Sequence, residues 1–245
     1  MSTPPPYRKD ILGDPDKQPG ASTPLVPAAT VVMLRTRDHN VEVLMLQKTT
    51  GIAFGGMWVF PGGKIDPEDF AGNDNIFEAA CNAAVRETRE ETGVALNKDD
   101  FTWFSHWTPP PSSPRRFSTW FFVAETDFRD RIIVDGGEIL DHRWVTPGDA
   151  LRKQAAGEIE LAPPTWVTLY QLSQRDRVDR IIRHFENSQP LHFATRLERN
   201  PEGTPVAVWF GDAAYENGDL EAAGARHRLV LEKDGFRFEN TVVDY

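Results

Sequence analysis

The chain has 245 residues, 40% of them hydrophobic, enough for one substantial core with an extension or for two small domains. Its formal net charge of -10 lacks the basic footprint of a nucleic-acid-binding surface and would repel an anionic ligand unless cations intervene. Cys81 is the one cysteine, which excludes an intrachain disulfide and suits a reducing compartment. No apolar run reaches the length of a membrane span, and "MSTPPPYRKD" lacks the apolar core of a signal peptide, so a cytoplasmic protein without a membrane partner is expected.

Residues 1–27 hold seven of the 19 prolines and read as a flexible arm, although "YRKDIL" has the apolar content to dock locally. Regular structure is expected from "AATVVMLR", which pairs as a hairpin with "VEVLMLQK" across the polar turn "TRDHN". "MWVFPGG" is a short strand broken by Pro61 and the glycine pair Gly62-Gly63. "NIFEAACNAAVRETREETG" is the strongest helix signal in the chain, ended by Gly93 as C-cap.

Three strand candidates follow, "FTWFSHWT", "FSTWFFVAET" and "EILDHRWVT". "TPGDALRKQAAG" is a short helix with Thr146 at its cap and Pro147 at its first position. "PPTWVTLYQLSQ" and "RVDRIIRHFEN" are further helices, the second amphipathic through Val178, Ile181, Ile182 and Phe185. That face covers a core more naturally than a partner, and a homodimer stays open. The tail alternates again in "LHFATRLE", "TPVAVWFG", "RHRLVLEK" and "FRFENTVV". Strands interleaved with helices over residues 28–187, then a β-rich extension over 188–245, give a mixed α/β or α+β protein.

The glutamate-rich helix breaks local rules. Glu87, Glu90 and Glu91 are neighbours on one helical sector, where like charges repel, and they stand near the C-terminal end, where the helix dipole disfavours anions. A solvated face with Arg86–Glu90 as an ion pair would tolerate them. A hard divalent cation would require them. Ala80, Ala83 and Ala84 lie on the same sector and permit close backbone approach. Phe77, Cys81, Val85, Thr88 and Thr92 trace a second stripe, expected to be the buried face. Cys81 on that stripe is inert packing.

The string Gly72-x5-Glu78-x7-Arg86-Glu87-x2-Glu90-Glu91-x-Gly93-Val94 resembles the signature of the Nudix hydrolases, G-x5-E-x7-R-E-U-x-E-E-x-G-U with U aliphatic. Two positions depart from it. Thr88 fills an aliphatic slot, tolerable if its hydroxyl bonds back to the carbonyl of Ala84. In the family "FPGG" directly precedes the box, so "VFPGGKID" makes Gly63 the equivalent glycine and the stretch "PEDFAGNDN" an insertion, with Gly72 in a flexible polar loop. A calcium loop opened at Pro67 is excluded, because Pro67 and Ala71 would stand at liganding positions without side-chain oxygens.

The resemblance implies a Nudix-type α/β/α sandwich with a mixed sheet, to which the β-rich extension is added. It implies hydrolysis of a diphosphate linkage by water attack on phosphorus, with Mg²⁺ or Mn²⁺ held by Glu87, Glu90, Glu91 and a carbonyl of Gly62 or Gly63. Arg86 would brace the glutamates, and Glu78 would either anchor the helix start or take part in the chemistry. Glu138 is the candidate for a further acid, as metal ligand or base, against a plain reading as a surface residue; Glu125 is the reserve. Arg115 and Arg116 are candidate phosphate or carboxylate contacts. Phe54, Trp58 and Trp120 are candidate base-stacking rings or simply core.

"FGGMWVFPGGKID", "RRF-x-T-x-FF" and "APPTWVTLYQL" resemble the branch that includes acyl-coenzyme-A diphosphatases, but the upstream element typical of coenzyme A cleavage is absent. The expected partner is a small-molecule diphosphate: a coenzyme A ester, dinucleotide, nucleotide sugar or nucleoside triphosphate. The other class that fits is a Nudix-homology domain that binds a nucleotide-like ligand without hydrolysing it. The six histidines show no ligand spacing.

Overall fold

The structure is a computed structural model that describes residues 8–16, 23–72, 74–126, 131–134 and 136–245. Residues 1–7 and 17–22 of the arm expected at residues 1–27 lie outside the described residues. The described part includes a single turn of helix, α1 (Lys9–Leu12), inside "YRKDIL".

Two long strands, β1 (Leu25–Arg37) and β2 (Asn40–Lys48), form the expected hairpin. Asp38 and His39 turn it with φ of 48° and 65°, the left-handed pair that matches strand twist in a two-residue turn. β1 starts earlier than its apolar run suggests, because Leu25 to Leu34 pair in parallel with β6 (Arg116–Glu125) and Pro27 is accommodated there. "MWVFPGG" yields two strands, β3 (Trp58–Val59) and β4 (Gly62–Lys64), separated by Pro61.

With β5 (Thr102–Thr108), β7 (Ile139–Val145) and β8 (Leu191–Ala194), these strands make an eight-stranded mixed sheet ordered β3-β2-β1-β6-β5-β8, with β4 on β1 and β7 on β2. One face is covered by α2 (Ile76–Thr92) over Ala29, Val31, Met33 and Phe122. The other face carries α3 (Pro147–Ala155), α4 (Pro163–Ser173) and α5 (Val178–Glu186), whose Leu169, Leu172, Ile181 and Phe185 share a core with Val32, Leu34, Phe104 and Phe121. The two expected caps form: Gly93 closes α2 at φ 74°, and Thr146 accepts from Asp149 N–H; the N-cap of α2, not anticipated, is Asn75, whose side chain accepts from Phe77 and Glu78 N–H.

The tail divides differently from the expected extension. β8 belongs to the main sheet, pairing in parallel with β5. After Thr195, β9 (Arg196–Arg199) opens a second, antiparallel sheet with β10 (Pro205–Val208), β11 (His227–Glu232) and β12 (Gly235–Asn240). Leu197, Ala207, Trp209 and Leu229 of this sheet join the same core as Trp107 and Phe193, whose rings stack at 3.8 Å.

The α2 face also differs in detail. Its fully buried side is centred on Ala79, Ala80, Ala83 and Ala84, all at 0% exposure, while Val85 of the expected stripe is half-buried. Alanines win because β1 approaches α2 closely, where a larger side chain would not fit. The back-bond expected of Thr88 is made by Thr92, whose Oγ1 donates to the Thr88 carbonyl at 2.6 Å. Thr88 Oγ1 itself is buried without a hydrogen-bond partner.

Candidate active site

The three box glutamates line one cleft with Gly62, Gly63, Lys48 and Glu138, and each occupies a different environment. Glu91 is 4% exposed; its Oε2 accepts from Gly62 N–H at 2.9 Å and its Oε1 from Lys48 Nζ at 2.7 Å. Glu87 packs on the glycine turn: a Cβ added at Gly63 would fall 2.4 Å from its carboxylate. Glu90 is the outermost, its side chain 60% exposed and 3.3 Å from Arg86 Nη1.

Burial pushes the Glu87 and Glu91 carboxyls above the usual carboxylate range, against the pull of Arg86 on the first and Lys48 on the second. Burial works to lower the Lys48 ammonium, and the Glu91 and Glu138 carboxylates outweigh it, raising the group above the ordinary lysine value.

Arg86 organises the helix against the preceding turn. Its Nη1 donates to Glu87 at 2.8 Å, its Nε and Nη2 grip Asp69 at 3.0 and 2.8 Å, and Nη2 also reaches the Lys64 carbonyl at 3.0 Å. Charge-assisted bonds of this two-pronged kind hold a planar guanidinium in one orientation. They also raise its pKa, with Asp69 the largest cause. Asp69 is 5% exposed, and its backbone carbonyl takes Asn82 Nδ2 at 2.8 Å. The insertion expected to be a flexible polar loop therefore begins with an anchored 3₁₀ turn, Pro67–Phe70.

The other named residues separate. Gly72, at φ 79°, has open space around it and stands apart from the glutamates that Gly63 touches. Glu78 pairs with Lys98 on the surface at 2.8 Å. Glu138 reaches Lys48 Nζ at 3.4 Å from a side chain that is 67% exposed. Glu125 is exposed opposite Leu34, outside the cleft lining. Arg115 and Phe54 line the cleft. Arg116 is not brought into it: its Nη1 and Nη2 donate to the Thr23 and Pro109 carbonyls at 3.2 and 3.3 Å, because β6 starts there. Trp58 packs under Arg143, and Trp120 packs against Phe77, Trp103 and His106, both outside the cleft lining.

Lys48 and Asp69 escaped the sequence reading. Each left a trace: a lone lysine closing an apolar strand, and Asp66-Pro67-Glu68-Asp69, an acid three residues after a capping-type residue. Asp69 Oδ2 accepts from Asp66 N–H at 2.8 Å.

The donor set fits a hard divalent cation, with oxygens from three carboxylates around a glycine turn that leaves no room for a Cβ. Among the described residues no three acid, histidine or cysteine side chains already converge on one point. Glu91 is turned to Lys48, and Glu87 and Glu90 to Arg86.

The NUDIX domain family matches residues 24–176. The chain belongs to the Nudix family. It is 27% identical over 169 residues to a Caenorhabditis elegans protein described as putative nudix hydrolase 7, a match that takes in 54% of this chain and 56% of that one. The chain thus spans little more than half the length of this relative. A crystal structure of a NUDIX hydrolase from Alicyclobacillus acidocaldarius superposes with a TM-score of 0.60 at 23% identity, over 66% of this chain and 97% of that one, and shows the same fold.

Proposed function

We propose that the chain is a Mg²⁺- or Mn²⁺-dependent diphosphatase, hydrolysing a phosphorus anhydride in a nucleoside-diphosphate-linked substrate. The observation that carries this reading is the gathering of Glu87, Glu90 and Glu91 with the Gly62-Gly63 turn in one cleft, within a chain of net charge -10. Glu87, Glu90, Glu91 and a carbonyl of Gly62 or Gly63 would hold the cation. When bound, it supplies charge neutralisation at the phosphates and a water acidic enough to attack phosphorus.

The protein's own groups account for the rest. Arg86, fixed by Asp69, holds Glu87 and restrains Glu90. Lys48 donates to the buried Glu91 and favours its ionised form against burial. Glu138, beside Lys48 on the cleft wall, would take the proton of the attacking water. Arg115, which also lines the cleft, would contact the substrate. Water adds to one phosphorus, the P–O bond to the bridging oxygen breaks, and that oxygen leaves on the second phosphate.

Ligand binding without hydrolysis is the second reading, favoured by one observation: Lys48 already neutralises Glu91. Incubation of the protein with coenzyme A esters, dinucleotides, nucleotide sugars and nucleoside triphosphates, with and without Mg²⁺, separates the two. Monophosphate products that disappear with a chelator, and fall roughly 100-fold or more in Glu90→Gln and Glu91→Gln, support hydrolysis. Activity that persists in excess chelator, or in both variants, overturns it. Described residues contain no helix long and apolar enough to cross a membrane, and the free, buried Cys81 accords with the cytoplasmic location we infer.

A further inference from the structure

The cleft extends well beyond its glutamates, and the strand register shows how far. Gly62 of β4 pairs with Thr30 of β1, and Thr30 with Phe121 of β6. One row over, Lys64 pairs with Ala28, Ala28 with Thr119, and Thr119 with Trp107 of β5. All of these line the cleft, so it crosses three strand spacings, about 14 Å at the usual inter-strand distance.

Charge is segregated along that path. Lys48, Lys64, Arg86 and the acids stand at the β4 end, and among the described lining residues Arg115 is the one charge at the other. The far end is built from Ile11, Leu12, Phe54, Trp107, Phe117 and Phe121. The cleft encloses about 850 Å³ with these side chains in place, so α1 does not fill it. A diphosphate group would occupy a small part of a cavity at the upper end of the range for small-molecule sites.

Ile11 and Leu12 are held there from three directions. Arg8 Nη1 donates to Glu160 at 2.8 Å, across 152 residues of chain, and to the Gly55 carbonyl at 3.3 Å. Gly13, at φ 84°, lies so close to Ser112 that a Cβ would fall 2.3 Å from its backbone. Asp16 is gripped by Arg199 of β9 at 2.7 and 3.2 Å. Leu12 is 9% exposed.

We propose that Ile11 and Leu12 are specificity-determining residues, forming with Phe117 and Phe121 the seat for an apolar substituent carried by the substrate beyond its diphosphate. The proposal rests on the reading above, in that it places the diphosphate at the glutamates. An extended apolar chain leaving the diphosphate runs along this path from the Gly62 end toward Phe117, Phe121 and Trp107, and removes its own surface and theirs from water.

The test uses two esters of adenosine diphosphate on the β-phosphate, one methyl and one octyl, which present the same anhydride and differ only in apolar length. Binding is measured by calorimetry with Ca²⁺ present, and turnover with Mg²⁺. The octyl ester is expected to bind at least ~10-fold more tightly than the methyl ester, given the apolar area it buries. Ile11→Ser and, separately, Arg8→Ala, which unties α1 without touching the apolar seat, are expected to erase most of that preference. For Arg8→Ala, the affinity for the methyl ester should stay unchanged. Equal binding of the two esters, undetectable binding of the octyl ester, or a preference that survives both variants overturns the proposal. Octyl preference that depends on α1 without hydrolysis of either ester sustains this inference and sinks the diphosphatase reading. Hydrolysis of both esters without preference does the reverse.

Discussion

Lys48 Nζ lies 2.7 Å from Glu91 Oε1, and the two side chains are 11% and 6% exposed. A cation of the protein itself thus stands at the carboxylate that the family resemblance assigns to a metal. Removing one partner of a buried pair leaves an uncompensated charge, so Lys48→Met should cost about 3 kcal/mol in the absence of divalent cations. Millimolar Mg²⁺ should recover part of that loss, and stabilise the variant more than the parent. Thermal unfolding of both proteins with and without Mg²⁺ checks this; equal Mg²⁺ shifts would mean that the cation does not approach Glu91.

The glycine pair and Gly72 should behave differently on substitution. Gly63→Ala drives a methyl into the Glu87 carboxylate and is expected to lower activity by roughly 100-fold, with a modest change in stability. Gly62→Ala meets the Ala29 carbonyl at 2.3 Å from a φ of 152° and should fold poorly. Gly72→Ala, with nothing near it, should cost only about 1 kcal/mol for its left-handed backbone and leave activity intact. A Gly72→Ala variant with lost activity and an active Gly63→Ala variant would reverse the assignment of the box glycine.

Asp69 fixes Arg86 from outside the glutamate helix. Asp69→Asn keeps the shape and removes the charge, and should reduce activity about 10- to 100-fold, the usual scale for a residue that orients a ligating group. The expected pattern is weaker Mg²⁺ binding, a higher metal concentration for half-activity, with substrate KM little changed. A rise in KM alone would place Arg86 on the substrate instead.

The second sheet contains a buried ion pair, Asp212 with Arg228. Asp212, with a fully buried side chain, accepts from the N–H groups of Ala214 and His227 and from two nitrogens of Arg228. Asp212→Asn should cost about 3–5 kcal/mol, or roughly 10 °C in Tm for a chain of this size. Replacing both partners together, Asp212→Leu with Arg228→Met, should cost less than either single change. If the double variant is the least stable of the three, desolvation is not the governing cost.

His227 makes stability pH-dependent. It is 4% exposed, with Nδ1 2.9 Å from the Phe210 carbonyl and Nε2 2.8 Å from the Tyr245 hydroxyl, an arrangement that suits neutral imidazole. Burial depresses its pKa below the ordinary histidine value, against the Phe210 carbonyl and Asp212. The unfolded chain therefore binds the proton more readily, so the contribution to stability is complete above about pH 6.5 and is lost as pH falls toward the folded-state pKa. Urea midpoints at neutral and mildly acidic pH should fall less for His227→Gln than for the parent; parallel falls would exclude this histidine.

Local signals carried most of the fold. The existence of α2, its C-cap Gly93, the cap at Thr146 and the central strands were legible because each depends on near neighbours in sequence. What depended on distant partners was not. Nothing around Leu191 says that β8 would pair with β5, or that β1 would start at Leu25 to meet β6. Within the candidate site, the spacing of Glu87, Glu90 and Glu91 marked the helix. The Lys48–Glu91 and Asp69–Arg86 bonds join residues 43 and 17 positions apart, which helical periodicity cannot reach. Thr88 shows the same limit at short range: its neighbours allowed a back-bond, and Thr92 made it.

Only Thr195 separates β8 in the main sheet from β9 in the second. Trp209 meets Trp107 edge-on at 5.5 Å, so the two sheets melt into one interior rather than abutting as separate bodies. A protease nick or truncation just after α4 would strip β5 of its flanking strand and bare the Trp107 ring. The family-matched region thus leans on the tail for part of its own interior.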